Sequence, residues 1–143
     1  MASPTFFNNF KQWVADGTID LDDDTFILYL SNATPSVSAD SGLADLAAIT
    51  TQNGYAPITL TGTTWVASGN NFSFRNNSDE SWTASGGNFG PFQYVVIYDD
   101  TVTTPTADPL VLWWDVGSAT TITTGNSFTV DLDANFEIFL LSS

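Results

Sequence analysis

The chain of 143 residues contains no cysteine and no histidine, and only two basic side chains, Lys11 and Arg75. Without cysteine there is no disulfide framework and no thiolate nucleophile. Without histidine there is no imidazole base, no Ser-His-Asp or Cys-His arrangement, and no zinc or copper site of the ordinary type. Two cations against sixteen carboxylates leave a formal charge of −14. Such a chain cannot neutralise phosphates, which argues against nucleic acid and against anionic membrane surfaces. No apolar run approaches the ~18 residues that a membrane helix needs. The opening stretch MASPTFFNNF has no basic region, and Asn interrupts its apolar residues. The expectation is therefore no secretory leader and a chain kept in a cytoplasm. Neither a P-loop nor a Gly-rich dinucleotide fingerprint is present.

What is present favours sheet. Apolar residues make up 43% and aromatics 14%, too rich for disorder and enough for one packed domain over 1–143. Thr, Ser, Asn and Gly crowd the remainder, as suits strands and turns. The only helical pattern lies near the start. Between Thr5 and Asp16, Phe6, Phe10 and Trp13 fall at i, i+4 and i+7, with Phe7 and Val14 beside them. This predicts a short amphipathic helix within a segment 1–17, capped by Ser3 or Thr5 and ended by Gly17. That face either covers a sheet or docks onto a partner, and the docking reading makes the segment separable from the fold.

From residue 18 onward the pattern is β. Strands are predicted at 25–30, 56–62, 71–76, 91–100, 109–117, 127–133 and 135–143, separated by Gly, Pro, Asn and Ser clusters. Both faces of 91–100 are apolar, so both should be covered. In 109–117, Leu110, Leu112, Trp114 and Val116 share one face, and Val111, Trp113 and Asp115 share the other. The fold class is all-β: an antiparallel sandwich, jelly-roll or Ig-like, or else a barrel, over 18–143. Three longer links stand at 31–42, 76–90 and 101–109, and 43–49 has room for a helical turn.

Chemistry is sparse. A pair of carboxylates is what remains for catalysis, as in glycoside hydrolysis. Glu80 and Glu137 lie in no recognisable motif, so no catalytic residue and no enzyme activity are assigned. The stretch DGTIDLDDDTFILYL carries Asp16, Asp20, Asp22, Asp23 and Asp24. Asp20, Asp22 and Asp24 alternate like the first ligands of a calcium loop, but Thr25 stands where the turn glycine belongs and Ser31 where the terminal Glu belongs. These three are the candidate Ca2+ ligands; the simpler reading is a solvated turn launching a strand. Trp13, Trp65, Trp82, Trp113 and Trp114 have faces suited to stacking on sugars. Trp114 reads as core, and Trp82, in the 76–90 link, is the candidate glycan contact.

Three passages together resemble a known group. They are FKQWVADGTIDLDDDTFILYL, GYAPITLTG and YVVIYDDTVTTPTADPLVLWWDVGSATTITTGNSFTV. Their order is similar to that of small virion proteins of tailed bacteriophages, the decoration, cement or head-fibre type, and the likeness spans nearly the whole chain. Its most specific part is the hairpin YDD…DPL…D.G. The resemblance implies a non-enzymatic β-domain assembled in the bacterial cytoplasm. On the virion it would bind the major capsid protein on the outside of the head and stabilise the shell, often as a trimer. Phe6, Phe7, Phe10, Trp13 and Trp113 are then the expected capsid or oligomer contacts. The alternative is a tail or fibre domain, or a carbohydrate-binding module, contacting host-surface glycans through Trp82.

Overall fold

Alternation along the chain builds two antiparallel sheets that face each other across an aromatic core. The computed structural model describes residues 3–69, 71–132 and 139–142. The elements in order are β1 (Thr5–Phe6), α1 (Asn8–Ala15), β2 (Phe26–Ser31), a 3-10 turn (Leu43–Asp45), β3 (Ile58–Leu60), β4 (Thr63–Ser68), β5 (Asn71–Asn76), β6 (Glu80–Thr83), β7 (Phe89–Asp99), β8 (Leu110–Ile122), β9 (Ser127–Val130) and β10 (Phe139–Ser142). The larger sheet runs β1-β8-β7-β2-β3, the smaller β10-β5-β4, and β6 pairs with β9 as a separate ribbon. The chain is thus all-β and sandwich-like, with one short helix, as its alternation predicts.

The spine is the β7–β8 hairpin. Val95 pairs with Trp114 and Ile97 with Leu112, so these four side chains share one face. On β2, Leu28 pairs with Ile97 and Leu30 with Val95, which extends the same face. All of these side chains are fully buried. Phe26, on that face, meets Phe74 of the smaller sheet edge-on, with ring centroids 5.0 Å apart. The opposite face is also covered, as the two apolar faces of 91–100 require. There Tyr29 Oη donates to the Leu46 carbonyl at 2.8 Å, and Ser31 Oγ donates to the Ala47 carbonyl at 2.7 Å. The polar link after β2 therefore wraps the sheet and hides its backbone groups.

The amino-terminal segment departs from expectation in where its helix starts and how it is capped. The helix begins at Asn8, because Thr5 and Phe6 first pair with Trp113 and Leu112 on the edge of β8. Phe7, not Ser3 or Thr5, stands at the N-cap and supplies no side-chain cap. The exposed Asn8 N–H instead donates to the Val37 carbonyl at 3.0 Å. Gly17 follows the helix with φ +82, a left-handed conformation that glycine adopts without strain. Of the two readings of its apolar face, the structure has the covering one: Phe7, Phe10 and Trp13 are buried in the main core cluster, so the segment belongs to the fold and is not a separable arm.

Three strands lie outside the predicted set: β1, β4 (TTWVAS) and β6 (ESWT), the last inside the predicted 76–90 loop. The terminal strand predicted at 135–143 is seen as β10; Asp133 to Ile138, including Phe136 and Glu137, lie outside the described residues.

Candidate functional site

Trp82 is where structure and expectation part most clearly. It lies on β6, in register with Phe128 of β9, and only 3% of it is exposed. Its indole stacks on Phe128 with centroids 6.3 Å apart and planes 12° from parallel. On its other side Tyr55 lies at 5.5 Å. The indole Nε1 donates to the Ala56 carbonyl at 2.6 Å. A ring sandwiched between two others offers no face to a sugar, so the candidate glycan contact is corrected to a core residue. The physical reason is that an aromatic on a short paired strand buries more area than in a loop. The turn beneath it is tight: Gly54 has φ +90, and a Cβ there would lie 2.1 Å from the Thr83 carbonyl oxygen.

The expected contact residues divide. Phe7, Phe10 and Trp13 are buried within the chain and present nothing outward. Phe6 is half-buried, stacked on Phe10 at 5.8 Å. Trp113 is half-buried too, one strand over, and its ring meets Tyr94 edge-on at 5.5 Å. Its Nε1 is buried and has no hydrogen-bond partner among the described residues. Asp115, on the same face, accepts from Gln93 Nε2 at 3.1 Å and from the Gly117 N–H at 2.8 Å. Of the expected contacts, then, Phe6 and Trp113 remain at the surface, on paired neighbouring strands.

The acidic stretch folds as a turn that uses its own carboxylates. Asp20 Oδ1 accepts from the N–H groups of Asp22 at 2.9 Å and Asp23 at 3.3 Å. Asp24 Oδ2 accepts in return from the Asp20 N–H at 2.7 Å. Asp16 Oδ1 takes both the N–H and hydroxyl of Thr18. This is side-chain capping of a tight turn, the ordinary work of Asp outside helices. Asp20, Asp22 and Asp24 do not converge as a ligand set; among the described residues no three metal-ligating side chains do.

The turn nevertheless touches something that its own sequence does not announce. Asp99, at the end of β7, is fully buried, and it meets Asp24. The signal was present in the alternation: Val95 and Ile97 point inward, and Asp99 is next in that series. A shallow groove of about 360 Å³ lies elsewhere, lined by Asn32, Ala33, Ala47, Ile49, Gly90 and Pro91 among others, with no charged group in its wall. No helix among the described residues is long and apolar enough to cross a membrane. No family model, curated protein or solved structure matches the chain.

Proposed function

We propose that the chain is a non-enzymatic structural protein of a tailed-bacteriophage head, binding the outside of the capsid and stabilising it. The observation that carries this reading is the resemblance of the passage Tyr94–Val130, which spans most of the β7–β8 hairpin of the larger sheet and runs on through β9. A β-domain with most of its described aromatic residues packed in its own core, and Phe6 and Trp113 left at the surface, suits a cementing role better than a catalytic one. Cementing needs many modest contacts repeated over a lattice, where avidity replaces single-site affinity.

The contact residues in this reading are Phe6, at the β1 edge in register with Leu112, and Trp113, on the opposite face of β8. Self-association, as a trimer, has to leave the carboxylates of a −14 chain at the rim or bring cations to them. The test is sedimentation of the purified chain with bacteriophage heads that lack it. Saturable binding at a copy number set by the lattice, with heads that then resist heat better, is the expected result. Phe6→Ser is expected to weaken binding and, because Phe6 stacks on Phe10, also to lower the melting temperature, so binding is measured well below its thermal transition. No co-sedimentation, or binding without any gain in head stability, rejects the proposal.

A further inference from the structure

Asp99 pairs in register with Phe26, on the inward side of β7, and none of it is exposed. Its Oδ1 accepts from the N–H groups of Thr101 at 2.8 Å and Val102 at 3.2 Å. Its Oδ2 is buried and receives no N–H or O–H donor among the described residues. What it does meet is the carboxyl of Asp24, which already takes the Asp20 N–H. Two carboxyl groups therefore face each other, Asp99 fully buried and Asp24 half-buried, with no donor between them among the described residues. At such range both cannot remain ionised at modest cost.

Among the described residues, the titratable groups next to this pair in sequence repeat its sign. The titratable neighbours on the hairpin are Tyr98, Asp100 and Asp108, and those on the turn are Asp20, Asp22 and Asp23, all of them acids. Across the sandwich Phe74 packs on Phe26, and the adjacent Arg75 directs Nε and a terminal nitrogen onto Ser73 Oγ. Lys11 is exposed on α1. The same junction is tied by two backbone donors. Thr25 N–H donates to Thr101 Oγ1, and Asp100 N–H donates to the Thr25 carbonyl, each at 2.8 Å.

We propose that Asp24 and Asp99 hold one proton between them, forming a clasp that fastens the acidic turn to the β7–β8 hairpin, and that loss of this proton loosens the junction. Burial first, and the hydrogen bond with Asp24 second, push Asp99 up to about 7. The sequence makes the effect readable. With no histidine and no cysteine, no side chain of ordinary pKa changes charge between about pH 6 and 8. The sign follows from linkage. The folded chain keeps a proton that the unfolded chain releases near pH 4, so stability falls as pH rises from about 4 to about 7 and is level above.

The test is thermal unfolding between pH 5 and pH 8 of wild type, Asp99→Asn and Asp24→Asn. In Asp99→Asn the amide oxygen retains the acceptor for Thr101 and Val102, and the amide nitrogen puts a permanent donor toward Asp24. In Asp24→Asn the amide oxygen retains the acceptor for the Asp20 N–H, and the nitrogen puts a donor toward Asp99. Wild type is expected to lose on the order of 5–10 °C across this range, Asp99→Asn to stay nearly level, and Asp24→Asn, in which Asp99 is still buried, to fall less steeply than wild type. At pH 8 the Thr101 and Val102 amides are expected to exchange faster in wild type than in Asp99→Asn. A level wild-type curve, or a variant that falls in parallel with it, overturns the proposal. So does a rise in wild-type melting temperature with millimolar calcium at pH 8 that Asp99→Asn abolishes, since a metal ion would then occupy the place of the proton. Should Asp99→Asn fail to fold, the reduced slope of Asp24→Asn carries the test, and should Asp24→Asn fail, the level curve of Asp99→Asn does.

Discussion

Trp82 reaches across from β6 to donate its indole N–H to the Ala56 carbonyl at 2.6 Å, tying the ribbon to the turn that precedes β3. Trp82→Ala removes a buried ring and this bond together, and is expected to cost about 3–5 kcal/mol. Trp82→Phe keeps most of the packing and loses the donor, for about 1 kcal/mol from the bond and a little more from lost ring area. Urea unfolding of the two variants separates the terms. The same indole gives a second readout: its fluorescence is expected to stay constant on titration with cell-surface polysaccharide. A saturable change that disappears in Trp82→Phe would restore the glycan reading.

Gly54 sets that turn. With φ +90 and a Cβ position 2.1 Å from the Thr83 carbonyl oxygen, any side chain there must displace backbone. Gly54→Ala is expected to destabilise by more than about 1 kcal/mol. Gly17, with a similar φ of +82 and nothing within 4 Å of its Cβ position, is the control. Gly17→Ala is expected to cost less, and equal losses in urea would show that strain, not crowding, governs both sites.

Trp113 and Trp114 are neighbours on opposite faces of β8. Trp114 is fully buried between the sheets, and Trp113 is half-buried against Tyr94. Trp114→Ala is expected to cost about 3–5 kcal/mol through the cavity it leaves, and Trp113→Ala roughly half as much. Equal costs would mean that a further layer covers the Trp113 face in solution, as a trimer interface would. Sedimentation velocity of wild type and Trp113→Ala distinguishes that case.

How much of this was legible depends on how far each signal is local. β2, β5, β7 and β8 follow from alternation alone, because Leu28, Phe74, Ile97 and Trp114 recur at the period that one buried face demands. β1 and β6 were hidden for a physical reason. Two residues at Thr5–Phe6, or four at Glu80–Thr83, show no period; they are strands because β8 and β9 offer them edges. The same non-local cause misplaces Trp82, whose burial depends on Phe128, 46 positions away by register with β9. The acidic turn was readable as a turn, since Asp20 caps Asp22 and Asp23 within the stretch itself. Its link to Asp99 was not, because nothing in either segment specifies the other until the hairpin brings them together.

The amino-terminal segment offers a direct test of whether it is fold or arm. Phe7, Phe10 and Trp13 all belong to the core cluster. Deleting residues 1–15 is therefore expected to unfold the domain, or at least to broaden and lower its thermal transition sharply. Phe10→Ala alone is expected to cost about 3–5 kcal/mol. A truncated chain that melts cooperatively near the wild-type temperature would show that the segment only lies on a core that is complete without it.

The alkaline limb of stability is set by buried phenols. Tyr29 is raised well above the usual tyrosine range, by burial first and then by Tyr55, Tyr98 and Asp40 nearby. Tyr55 is pushed up to about 12, again by burial, although its hydrogen bond with Leu30 pulls the other way. Its Oη accepts the Leu30 N–H at 2.9 Å, a bond that fixes the ring inside the fold. The folded chain thus holds phenolic protons that the unfolded chain releases near pH 10. Stability from these groups is complete below about pH 10 and is lost as pH rises toward 12 and beyond. Tyrosinate absorbance near 295 nm is expected to rise in one cooperative step that coincides with loss of the far-ultraviolet β signal. Tyr55→Phe leaves the Leu30 N–H without its acceptor and is expected to cost about 1–3 kcal/mol at neutral pH. It also removes one of the buried phenols, so its alkaline transition should be less steep than that of wild type. Smooth, independent titration of the phenols with the fold intact would show that water reaches Tyr29 and Tyr55 without unfolding.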